Sequence, residues 1–118
     1  MSTSGGRSVN ILTLEQARAH QKNASAHLID VREPSELKNH GVVEGAINVP
    51  VGYVAEAFAM DKESFQVVIG QEKPDSDDTL IFFCVKGIRA KNAADLVEQK
   101  FNYKNSSFYP GPFSDLQN

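Results

Sequence analysis

Between Thr79 and Lys100 the sequence changes period. "TLIFFC" (Thr79 to Cys84) is the most apolar run in the chain and is rich in β-formers. A run of that kind reads as a central strand covered on both faces. Directly after it, Ala90, Ala93, Ala94, Val97 and Phe101 recur at i, i+3, i+4, i+7 and i+11. That spacing predicts one buried face of a helix from about Ile88 to Lys100. The face begins with three alanines, so the helix can lie close against a sheet.

The rest of the chain repeats this alternation. Thr13 and Gln16 stand at capping-box spacing and start a helix over about Leu14 to Gln21. "AHLIDV" is a short buried strand ending near Val31. Pro34 suits the first turn of the next helix. A short strand around Ala46 to Val49 is stopped by Pro50. "GYVAEAFAM" and "KESFQVVIG" read as helical pieces, the first covering the core. "SSFYPGPF" supplies a last strand and a Pro/Gly turn. Strands alternating with helices predict an α/β domain, with a mainly parallel central sheet flanked by helices on both faces. Residues 1–8 read as a flexible lead-in and 9–118 as one domain.

Composition narrows the function. The 118 residues are enough for one core, and 41% of them are hydrophobic. Twelve basic residues stand against 15 acidic, a net charge of −3. No basic excess exists for a nucleic-acid backbone, and no polybasic run for an anionic membrane. No apolar stretch approaches the roughly 20 residues of a membrane helix. A single cysteine allows no internal disulfide, which favours a reducing compartment. The expected location is the cytoplasm, with the mitochondrial matrix as the alternative. His20, His27 and His40 show no ligand spacing, so no metal is expected.

The single cysteine, Cys84, falls at the strand's exit, in the loop Cys84-Val85-Lys86-Gly87-Ile88-Arg89. In open α/β sheets the carboxyl edge is where ligands bind. A short loop wrapping before a helix points backbone N–H groups inward, and the helix N-terminus adds partial positive charge. Lys86 and Arg89 add full charges. All three favour a thiolate over a thiol, and the same features make a cradle for a small anion. Gly87 admits backbone angles that a β-carbon forbids. The competing reading of Cys84 is a small buried hydrophobe.

Three segments together resemble a known family. "LIDVREPSELKNHGVVEGAINVP", "LIFFCVKGIRAKNAADLV" and "FYPGPFSDL" are similar, in order and spacing, to a single-domain rhodanese. The likeness runs from about Val9 to Leu116. It is nearest to the short animal sulfurtransferases that pass sulfur from thiosulfate to glutathione. Some insect relatives of that group carry heat-shock names. The resemblance implies that Cys84 attacks the outer sulfur of a small anionic donor and carries it as a persulfide. A thiol acceptor or cyanide then removes it. Val85, Lys86, Gly87, Ile88 and Arg89 would hold the donor, with Lys86 nearest its sulfonate and Arg89 holding the loop shape. Asp30, Arg32 and Glu33 match the first motif. Arg32 is expected to draw in the anion or brace the loop through an acidic partner, or else to form a structural salt bridge at a strand end. A monomer is expected.

The chain departs from the family pattern in places. Val42 and Glu44 replace a histidine and a proline, Pro112 follows Gly111, and Leu116 stands near an expected tryptophan. Val85 replaces a common arginine and so removes one charge. Two other classes compete with the enzyme: a non-catalytic or redox-sensing module of the same fold, and a phosphatase. Four residues separate Cys84 from Arg89, one fewer than in the phosphatases that share the fold. The shorter loop makes a smaller cradle, suited to a persulfide sulfur and poorly suited to a tetrahedral phosphate, which leaves the phosphatase as the minor alternative.

Overall fold

The computed structural model describes residues 9–117. The expected lead-in over residues 1–8 lies outside them. The elements are β1 (Asn10–Ile11), α1 (Leu14–Gln21), β2 (Ala26–Asp30), α2 (Pro34–His40), β3 (Ile47–Asn48), α3 (Val54–Ala59), α4 (Lys62–Ile69), β4 (Thr79–Cys84), α5 (Ile88–Phe101) and β5 (Ser106–Pro112). Short 3-10 turns occupy Val51–Tyr53 and Phe113–Leu116. The five strands form one parallel sheet in the order β1-β5-β4-β2-β3. β4 is thus its middle strand, as its unbroken apolar run predicts.

The two-residue period of β4 builds both halves of the core. Leu80, Phe82 and Cys84 point to one face, with Phe58, Phe65, Ala90, Ala93, Ala94 and Val97. Ile81 and Phe83 point to the other, with Leu12, Ala17, Tyr109 and Leu116. α3, α4 and α5 therefore cover the first face, and α1 covers the second. The alanine face of α5 is buried as expected, and Val54, Ala57 and Phe58 of α3 belong to the core.

Local chemistry explains the ends of the elements. Thr13 Oγ1 accepts from the Gln16 N–H at 3.1 Å, and Gln16 Oε1 accepts from the Thr13 N–H at 2.9 Å. The "GYVAEAFAM" segment opens as a 3-10 turn rather than as one continuous helix. β3 is shorter than expected because it is an edge strand, paired only with β2. β1 was not anticipated. Two residues offer no readable period, and Asn10 and Ile11 become a strand only through β5.

Candidate functional site

The site is built where β4 gives way to α5. Cys84 ends β4 on the α5 face and is 1% exposed. Three residues later, Gly87 caps α5 in the left-handed region with φ +89°. A β-carbon there would lie 2.9 Å from the Pro110 carbonyl oxygen of β5, so this position requires glycine twice over. The tight turn brings the Gly87 N–H to 3.1 Å from Cys84 Sγ. The sulfur thus receives a backbone hydrogen bond beside the start of a 14-residue helix, where negative charge is favoured.

A cavity of about 410 Å³ opens over the sulfur, lined by Glu36, Cys84, Val85, Lys86, Ile88 and Arg89. Lys86 is exposed and takes part in no ion pair among the described residues. Val85 and Ile88 give the mouth an apolar rim, with Ile88 70% exposed. Gly87 lies buried behind the turn.

Arg89 turns toward α2. Its Nη1 and Nη2 donate to Glu36 Oε1 and Oε2 at 2.6 and 3.0 Å. That pair holds the Glu36 carboxyl down at about 2 and raises the Arg89 guanidinium above its usual value. Glu36 Oε1 also accepts the Glu33 N–H at 2.9 Å. One carboxylate therefore ties the thiol loop to the first turn of α2. This matters because no residue of α2 is fully buried. Glu36 was missed in the sequence, although its place three residues after Glu33 is helix-capping spacing.

Arg32 is not brought to the cavity. β2 pairs Asp30 with Phe83, so Asp30 shares the face of Phe83, opposite that of Cys84. Arg32 is fully buried. Its Nε and Nη2 bind Asp30 at 2.7–3.1 Å, and Nη2 also donates to the Gly41 carbonyl at 3.0 Å. Its guanidinium stacks 3.6 Å over the Phe113 ring. Of the roles expected for Arg32, the geometry is that of the structural salt bridge at a strand end and not of a donor contact: it joins β2 to the loop after α2 and to the C-terminal turn. Asp30 is its buried counter-charge, and Glu33 is an exposed residue at the N-terminus of α2. None of the histidines lines the cavity; His27 pairs with Asp78 at 2.9 Å on the other edge of the sheet.

The order of the strands, the thiol loop and its glycine cap agree with one family, whose model, that of the rhodanese-like domain, matches residues 13–118. The chain belongs to the rhodanese family. This rhodanese domain is 36% identical over 107 residues to the mitochondrial thiosulfate sulfurtransferase RDL2 of Saccharomyces cerevisiae, covering 89% of this chain and 70% of that one. It is 43% identical over 90 residues to the thiosulfate:glutathione sulfurtransferase of the same yeast, covering 75% of this chain and 62% of that one. The chain therefore spans roughly two thirds of each yeast protein. The solved structure of the human single-domain sulfurtransferase TSTD1 superposes with a TM-score of 0.80 at 31% identity, covering 93% of this chain and 95% of that one.

Proposed function

We propose that this rhodanese is a sulfurtransferase that moves sulfane sulfur from thiosulfate, through Cys84, to a thiol acceptor such as glutathione. The observation that carries the reading is the Gly87 N–H on Cys84 Sγ at the floor of an anion-favouring cavity. In the first step the Cys84 thiolate attacks the outer sulfur of thiosulfate. A new S–S bond forms at Sγ, the S–S bond of thiosulfate breaks, and sulfite leaves with that electron pair. Lys86 faces the departing sulfonate oxygens, and the turn's N–H groups hold the persulfide. In the second step an acceptor thiolate or cyanide takes the outer sulfur and leaves the Cys84 thiolate. The result is covalent catalysis in two displacements, with no net redox change and no cofactor.

The names of the yeast relatives support this donor and, for one of them, glutathione as acceptor. The mitochondrial label of the first supports the alternative, the mitochondrial matrix, as the place of action. No described helix is long and apolar enough to cross a membrane. We take the working unit to be a monomer.

Intact-protein mass spectrometry tests the reading. Incubation with thiosulfate is expected to add one sulfur to the wild type and none to Cys84→Ser. Addition of glutathione should then remove it. No gain in the wild type would move the reading to a binding or redox-sensing module.

A further inference from the structure

On the same sheet edge, a second and larger cavity of about 750 Å³ adjoins the thiol pocket across the first turn of α2. Its walls include Asn48, Pro50, Tyr53, Val68 and Ile69, and Glu33 stands at its rim. The turn is shared: Glu33 lines this groove, while Glu36, bonded to the Glu33 N–H, lines the thiol pocket. Sulfur loading does not use the groove. Pro50, Tyr53, Val68 and Ile69 give it an apolar wall beside the polar Asn48 and Gln71, and Val68 is 54% exposed. Glu33 is the only charged residue lining it, and it forms no ion pair among the described residues. Lys86 lines the thiol pocket and forms no ion pair among the described residues, whereas Arg89 is engaged with Glu36.

We infer that this groove is the acceptor's docking site, and that it selects a short peptide thiol whose free ammonium meets Glu33 and whose carboxylate faces Lys86. The inference rests on the sulfurtransferase reading and adds to it the place and the chemistry of acceptor binding. β3, which lends Asn48 to the groove, lies two strands from β4, and strands sit roughly 4.8 Å apart, so a peptide laid from β3 to β4 crosses about 10 Å of the sheet edge. An extended tripeptide also reaches about 10 Å. Its apolar stems cover Tyr53 and Val68, and its thiol reaches Cys84. A bare thiol or cyanide makes none of these contacts.

The test compares glutathione with its N-acetyl derivative as acceptors for persulfide-loaded protein, in the wild type and in Glu33→Gln. Glutamine keeps the size of the side chain and the backbone of the helix start. The wild type is expected to show a KM about three- to fivefold lower for glutathione than for the acetylated peptide, the range of a rim ion pair. Glu33→Gln is expected to lose that preference. Tyr53→Ala should raise both KM values together without changing the rate of sulfur loading by thiosulfate. Equal KM values for the two peptides in the wild type, or an intact preference in Glu33→Gln, would overturn the docking site while sulfur loading stands. Failure of thiosulfate to load Cys84 at all would overturn the underlying reading and this inference with it.

Discussion

Two residues carry unusual demands, and each can be probed singly. Gly87 sits at φ +89° with Pro110 occupying the space that a β-carbon would need. Gly87→Ala must therefore strain the backbone or displace β5, at a cost of about 1–3 kcal/mol. Because the Gly87 N–H also serves Cys84 Sγ, the rate of persulfide formation should fall along with stability. Urea denaturation and single-turnover loading by thiosulfate check the two halves. Arg32 poses the opposite problem, a cation buried to 0% exposure against Asp30. Arg32→Met would leave the Asp30 carboxylate buried without its partner, a loss of about 3–5 kcal/mol. A donor-contact role would instead raise the thiosulfate KM at unchanged stability. Equilibrium unfolding of the variant separates the two.

Among the elements, α2 is held most lightly. It buries no residue fully, so its position depends on the polar contacts of Glu36 and on the Arg32–Gly41 bond at its end. The Arg89 pair lowers the Glu36 carboxyl from 4.5 to about 2. Its stabilisation is therefore fully present above pH 4.5 and is lost as pH falls through about 2. The pair is partly exposed, so screening limits its worth to about 1 kcal/mol. Glu36→Gln should remove this part of the acid dependence. It should also speed backbone hydrogen exchange over residues 33–41 relative to α5, which is anchored by its alanine face. A wild-type exchange pattern in Glu36→Gln would show that α2 is held by something other than this carboxylate.

For the whole molecule, the clearest pH-dependent term lies at the alkaline end. Burial pushes both the Tyr103 and the Tyr109 hydroxyls up from 10.0 to about 12. Both are bonded when neutral: Tyr103 donates to the Pro74 carbonyl at 2.6 Å, and Tyr109 to Asp115 Oδ2 at 2.7 Å. The folded state favours the neutral phenol more than the unfolded chain does. Stability from these groups is present below pH 10 and is lost as pH rises toward about 12. Thermal unfolding between pH 9 and 12 should show that loss, and Tyr103→Phe with Tyr109→Phe should flatten it. The two residues lie on opposite faces of the sheet, so their effects are expected to add.

Much of this protein was legible in local pattern. The apolar run of β4, the alanine face of α5, the Thr13 capping box and the loop with Gly87 are short-range features, and each acts through residues close in the chain. They were sufficient to place Cys84 at a sheet edge beside a helix start. What the chain could not show by itself were relations between segments distant in sequence. Arg32 follows the Asp-Val-Arg motif, yet only the pairing of Asp30 with Phe83 puts its partner on the face away from the thiol. Glu36 and Arg89 are 53 residues apart and meet only once α2 has crossed to the α5 side of the site. β1 exists only because β5 leaves it an edge. Strand register sets which face each side chain occupies, and register is a property of the assembled sheet.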